Sequence, residues 1–219
     1  MSVVERLRAL LAEKFERRPW EKVELLGYSS PRKWMIAVRL SFDIFITAYE
    51  NGKVQVDAGP EPTKSEIWSY LDEKGYDRMY EAAKTKEEKE KIYREELEEE
   101  RRIIEDFKQG KFEKYLKARR SISYFAKRHM WGIEVARRVS EKHGIEVKFE
   151  IDYESGFFTT FDSTGMDDEQ LINEIMRRAD AIAEAREMFL SEELINEFLA
   201  SKGIEVKRKR SRRRRVSRG

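Results

Sequence analysis

The stretch that most limits the folds open to this chain is residues 33–60, KWMIAVRLSFDIFITAYENGKVQVDAGP. Trp34, Ile36, Val38, Leu40, Phe42, Ile44, Ile46 and Ala48 fall on every second position, which is the period of a strand and not of a helix. They define one apolar face. The other face carries Lys33, Arg39, Asp43, Phe45, Thr47 and Tyr49. ENGK is a hairpin turn in which Gly52 supplies the positive φ. A two-residue loop would put Val54 and Val56 beside Thr47 and Tyr49. A three-residue loop with a glycine bulge puts them beside Ile44 and Ile46, keeps apolar and polar side chains apart, and is the expected turn.

Helical signals surround this β unit. Ser2 and Glu5 form a capping box, and Val4, Leu7, Leu11 and Phe15 then recur at helical spacing, so residues 3–17 read as a helix ended by Pro19. WEKVELLGY (20–28) reads as a strand and SSPRK as a turn. Residues 63–143 are helical in pattern: one helix ends at Gly75, and an acidic one starts at the Thr85/Glu88 capping box and stops at Gly110. The next, residues 111–144, carries ten Lys or Arg against three Glu. A second hairpin, IEVKFEIDY and GFFTTFDS, turns at Glu154, Ser155 and Gly156, and helices at 167–189 and 191–202 follow. GIEVK occurs at 144–148 and again at 203–207, which predicts a short strand over Ile204, Glu205 and Val206.

The expected fold is α+β: antiparallel β-hairpins packed with a large, mostly helical middle section and C-terminal helices, ending in a disordered basic arm. Residues 1–189 form the main domain with a helical insertion at 63–143, residues 190–206 a C-terminal helix and short strand, and residues 207–219 the arm.

Charge points to the partner. The formal net charge is +2, but residues 207–219, KRKRSRRRRVSRG, hold nine basic side chains and no acidic one, which leaves 36 basic and 43 acidic elsewhere, a net of −7. An acidic body with a basic arm is a pattern of polyanion binding. Each Lys or Arg that settles on a phosphate releases counterions, with no regard to sequence. Lys207, Arg208, Lys209, Arg210, Arg212, Arg213, Arg214 and Arg215 are the expected arm contacts.

There is no cysteine, so disulfides and thiolate metal sites are excluded. No apolar run approaches the ~20 residues of a membrane span, the N-terminus reads as an amphipathic helix rather than a signal peptide, and a cytoplasmic protein is expected. Charged residues make up 40%, with three Asn and three Gln, which points to a hyperthermophile and to an archaeon. His129 and His143 sit among basic helical residues, read as partly exposed, and have no partner at metal-ligand spacing. No phosphate loop, H-E-x-x-H or nucleophile elbow occurs. Glu146 and Lys148 match the E-x-K of magnesium-dependent nucleases, with Asp43 or Asp57 as a further ligand if the two hairpins pair. Alternating charge on a half-exposed strand explains the same residues. The chain is therefore expected to be non-enzymatic, with no cofactor and no metal.

Two further surfaces suit nucleic acid. On the 111–144 helix, Lys114, Lys117, Arg119, Arg120, Lys127 and Arg128 are exposed candidates for phosphate, while Tyr124, Phe125 and Trp131 read as core. On the sheet, Arg39, Phe45 and Tyr49 face away from the apolar side, and GFFTTF must place at least one Phe on each side. Aromatic rings beside Arg on an open face make a platform for base stacking. A second helical layer over that face is the alternative.

The stretches WMIAVRLSFDIFITAYENGKVQVDAGP and VKFEIDYESGFFTTFD resemble the ThermoDBP-type single-stranded DNA-binding proteins of hyperthermophilic archaea, over about a fifth of the chain. The resemblance implies a cleft of aromatic and basic residues for single-stranded DNA, made here by Trp34, Arg39, Phe45, Tyr49, Phe157 and Phe158. It also implies oligomers built through helices outside the sheet. Residues 167–202 are expected to help form a dimer or higher oligomer through Leu171, Ile175, Ile182 and Phe189, which could equally pack inside one subunit. The long acidic helix and the arm are additions to that pattern. The expected function is single-stranded DNA binding, with RNA as the other choice. A ribosome-associated protein that threads its arm into folded RNA is the main alternative.

Overall fold

The computed structural model describes residues 1–30, 33–60, 64–118, 121–151 and 156–205. In chain order the elements are α1 (Val3–Phe15), β1 (Lys22–Ser30), β2 (Lys33–Arg39), β3 (Asp43–Ala48), β4 (Lys53–Asp57), α2 (Ser65–Lys74), α3 (Tyr76–Ala82), α4 (Lys86–Lys108), α5 (Glu113–Leu116), α6 (Ser121–His143), β5 (Lys148–Phe149), β6 (Phe157–Asp162), α7 (Asp168–Leu190) and α8 (Glu192–Ser201). The fold is α+β. Its strands form one antiparallel sheet in the order β1-β2-β3-β4-β6-β5, so the two hairpins do pair, through β4 and β6. Among the described residues no helix is long and apolar enough to cross a membrane.

Local chemistry sets the ends of these elements. Capping boxes start α1 at Ser2, α4 at Thr85 and α7 at Asp167. The run from Trp34 to Ala48 is broken by a turn at Leu40–Phe42, where the Leu40 N–H donates to the Phe42 carbonyl at 2.9 Å. Arg39 pairs with Asp43, so three residues connect the strands and the alternation stays in phase through the turn. The next connection also has three residues: the Tyr49 N–H donates to the Lys53 carbonyl at 2.9 Å, and Gly52 takes φ 87°. Val54 faces Ala48 and Val56 faces Ile46, so both valines join the apolar side.

α1 and α7 cover that side. Val4, Leu7 and Leu11 from α1 and Ile175, Ile182 and Phe189 from α7 pack with Ile36, Val38, Ile44, Ile46, Val54, Val56 and Phe157 in one cluster, with Leu171 at its margin. The residues expected to build an oligomer are therefore spent inside one subunit. A second cluster joins Ile67 and Leu71 of α2, Ile103 and Phe107 of α4, Tyr115 of α5 and Ile122 and Phe125 of α6. The continuous basic helix expected over 111–144 is divided into α5 and α6. Between Lys86 and Arg102, α4 has no buried side chain and lies against α3, which has none either. The strand expected at Ile204 is not formed. Gly203 adopts φ 70°, and the Ile204 N–H turns back to cap the Leu199 carbonyl at 2.9 Å. Val206 lies outside the described residues.

The two clusters meet where α6 crosses β5. Gly132 is buried there, and a Cβ at that position would overlap the Phe149 ring. Gly132→Ala is expected to lower stability by about 1–3 kcal/mol through overpacking. Chemical denaturation checks this, and an unchanged midpoint would mean that Phe149 moves aside freely.

Candidate nucleic-acid interface

The face of the sheet turned away from α1 and α7 carries the residues left over by the alternation. Strand pairing places six of them side by side, one per strand: Glu24, Ala37, Phe45, Asp57, Phe158 and Lys148. Met35, Thr47, Gln55 and Thr160 form the next row. Phe45 and Phe158 are half-buried and flank Asp57. Two strand spacings separate them, roughly 10 Å. The Asp57 carboxylate accepts from Gln55 Nε2 and from the Gly59 N–H, each at 3.0 Å. Tyr49 is exposed, with the Lys53 ammonium 5.8 Å from its ring. The Arg39 guanidinium lies between Glu24 at 3.2 Å and Asp43 at 3.4 Å, so its charge is already matched.

Two expected stacking residues are in the core instead. Trp34 is 4% exposed, because it shares the inward parity of Ile36 and Val38. Phe157 is fully buried, with its ring 4.8 Å from that of Phe149 and 5.4 Å from that of Phe189. Phe158 takes the outer side, and Phe161 returns inward beneath the Arg178 guanidinium at 4.7 Å.

The helical cations are dispersed. Lys114 is paired with Asp106 at 2.5 Å and sits 4.9 Å over the Tyr115 ring. The bond from Lys114 holds the Asp106 carboxyl below its ordinary range. Lys117 is exposed, Lys127 is half-buried, and the half-buried Arg128 stacks 4.2 Å over Phe189. Phe125 and Trp131 are core, as expected, but Tyr124 is 63% exposed. The buried stripe of α6 runs through Ile122, Phe125, Ala126 and His129, which turns Tyr124 outward, one turn from Lys127 and Arg128. The sequence pattern did not mark Tyr124, Lys53 or Lys148 as parts of this surface. For Lys148 the signal is its register opposite Phe158, which needs the long-range pairing of β5 with β6. Arg119, Arg120 and the arm from Lys207 to Arg215 lie outside the described residues.

The E-x-K residues do not assemble as a nuclease site. Glu146 is exposed, precedes β5, and holds Lys148 at 3.7 Å, while Asp57 lies two strands away. Among the described residues, three metal-capable groups converge only at Asp72, Asp77 and Glu96, whose carboxylate oxygens lie within 4.8 Å of one another. Desolvation, then the charge of Asp77, raises the affinity of Asp72 and of Glu96 for protons. This group sits on the helices, away from the aromatic row.

Of the two histidines expected to be partly exposed, His143 is so, half-buried and bonded to Glu184 at 2.8 Å, while His129 departs from the expectation. His129 is 2% exposed, among the rings of Phe107 at 5.3 Å, Phe112 at 5.8 Å and Phe149 at 5.1 Å. Burial pushes its pKa down to about 4, so the imidazole is neutral at pH 7.

Family models, curated proteins and solved structures yield no match to this chain.

The His129 environment makes an acid-stability prediction. Its folded pKa is depressed, so the unfolded chain binds the extra proton between about pH 6.5 and about pH 4. Stability is full above that window and falls as pH drops through it, by about 3 kcal/mol in all. Melting curves should show this loss, and His129→Leu should flatten it. An equal loss in the variant would assign the acid sensitivity elsewhere.

Proposed function

We propose that the protein binds single-stranded nucleic acid without catalysis, DNA in preference to RNA, in the cytoplasm of an archaeal cell. The observation that carries this reading is the row on the sheet face turned away from α1 and α7, where the half-buried Phe45 and Phe158 stand either side of Asp57 with Lys148 at the end. Bases stack on such rings whatever their identity, because each has a π-face. Tyr49 with Lys53, and Tyr124 with Lys127 and Arg128, extend the aromatic and basic character beyond the row. The resemblance of the two hairpins to ThermoDBP-type proteins points the same way.

The body contributes little free cation, since Arg39 and Lys114 are matched by carboxylates. The nine basic residues of 207–219 supply the charge that phosphate binding needs. The same imbalance favours a second reading, an arm that enters folded RNA while the body stays outside.

The two readings separate by titrating the full chain with a labelled oligothymidylate at two salt concentrations. Phe45→Ala with Phe158→Ala should weaken binding by about 1–3 kcal/mol per stacked base, with the salt slope unchanged. Removal of residues 207–219 should flatten the slope by ~0.7 for each phosphate that the arm had neutralised, while leaving binding at low salt. Undiminished binding by the double variant, together with complete loss on truncation, overturns the stacking face in favour of folded RNA.

A further inference from the structure

β5 is the last strand of the sheet, and a groove of ≈ 490 Å³ runs along its free edge, between it and helices α4 and α6. That volume lies within the range of about 300–1,000 Å³ common for small-molecule sites. Its floor and walls are apolar and aromatic, with Phe107, Ile133 and Phe149 among the lining residues. Its rim carries Lys108, Arg137 and Lys148, with Glu150 as the carboxylate beside them. Arg137 is engaged by Glu134 at 2.9 Å and Glu141 at 2.5 Å, and Lys148 by Glu146 at 3.7 Å. Lys108 has no ion pair among the described residues.

Two polar features in this apolar setting point to a ligand. The first is His129, which lines the groove, is 2% exposed, and has a ring Nδ1 with no hydrogen-bond partner among the described residues. A buried polar atom without a partner costs about 1–3 kcal/mol, so a fold that keeps one invites an explanation. The second is the backbone of Phe149. The Glu150 N–H donates to the Gly156 carbonyl at 3.1 Å, so the even residues of β5 face β6. Val147 faces the other way and exchanges bonds with Ser140 Oγ on α6, at 2.9 and 3.2 Å. Phe149 has the parity of Val147, and the Phe157 carbonyl is taken by the Ala58 N–H. The Phe149 N–H and C=O therefore point to the free edge, toward the groove.

We propose that this groove is a nucleobase pocket, which takes one unstacked base of a bound single strand. It rests on the reading of the sheet face as the strand's track, because Lys148 belongs to both: it closes the row of Phe45 and Phe158 and stands on the groove's rim. The Phe149 ring and the apolar side chain of Ile133 suit a planar aromatic ligand. A backbone N–H and C=O side by side, with one imidazole nitrogen, match the mixed donors and acceptors of a base edge. Lys108 and Lys148 at the mouth suit the phosphates on either side of the inserted nucleotide. An extended peptide adding to the β5 edge would use the same backbone groups. It would leave the cationic rim unexplained.

The test uses the full chain with labelled isoleucine methyls, titrated with adenosine 5′-monophosphate, uridine 5′-monophosphate and ribose 5-phosphate. The two mononucleotides should shift Ile133 and Ile151, and ribose 5-phosphate should not. His129→Leu should weaken mononucleotide binding at least tenfold while raising the melting temperature, since it removes the unpartnered nitrogen. Ile133→Trp, which fills the mouth, should block it. Equal shifts with ribose 5-phosphate, shifts that survive both variants, or no shift at millimolar nucleotide would each overturn the pocket. So would a Val/Thr-rich hexapeptide that shifts the methyls and protects the Phe149 amide where nucleotides do nothing. The sheet face is judged separately, by the response of oligothymidylate binding to Phe45→Ala and Phe158→Ala.

Discussion

The contact between Phe149 and the bare backbone of Gly132 is the one on which both halves of the molecule depend. Phe149 touches Phe157 and Phe189 on the sheet side and His129 on the helical side. β5 pairs with β6 over only two residues, too few to hold a strand by its ladder. The ring seated on α6, together with the Val147–Ser140 bonds beside it, holds it instead. That seat fixes Lys148 opposite Phe158, and so completes the outer row. It also leaves the far edge of β5 open along α6. The candidate interface and the groove thus share one packing cause.

Charge is arranged by the same economy. On the body, several cations near the aromatic surfaces are held by a carboxylate on the same or a neighbouring element: Arg39 by Glu24 and Asp43, Lys114 by Asp106, Arg137 by Glu134 and Glu141. The Arg137 and Arg138 bonds pull Glu134 down to about 2. These pairs fix side-chain geometry and add little net attraction for a polyanion. The body without residues 207–219 has a net charge of −7. On the proposed reading, long-range attraction for phosphate would come from residues 207–219, and selectivity from rings and hydrogen-bond groups on the body.

Much of the β unit was legible, because period-two alternation is a local property. It gave the inner face of β2 and β3, the three-residue turn at Gly52, and the division of Phe157 from Phe158. The capping boxes at Ser2 and Thr85 fixed two helix starts for the same reason. Trp34 belongs to the core by the parity it shares with Ile36, and the role that resemblance implied for it ran against that parity. Tyr124 and Phe125 are neighbours whose sides depend on where α6 begins, and the helix starts afresh after α5. The burial of His129 depends on Phe107 and Phe112, around the end of α4, and on Phe149 in β5, which converge from two separate parts of the chain. The insertion of β6 between β4 and β5 is likewise a long-range choice. No local pattern encodes it, and the groove and the place of Lys148 follow from it.

On the proposed reading, the sheet face has a direction. Asp57 is 6% exposed between the two rings, and its bonds to Gln55 and the Gly59 N–H hold its carboxylate in place. A strand lying on this face would keep its backbone toward the margins, where Lys53 and Lys148 stand, and turn its bases inward over Phe45 and Phe158. A duplex presents phosphate outward and hides its base faces, so the same row would offer it no stacking. Single-strand preference would then arise from the two rings, and would need no cationic groove on the body.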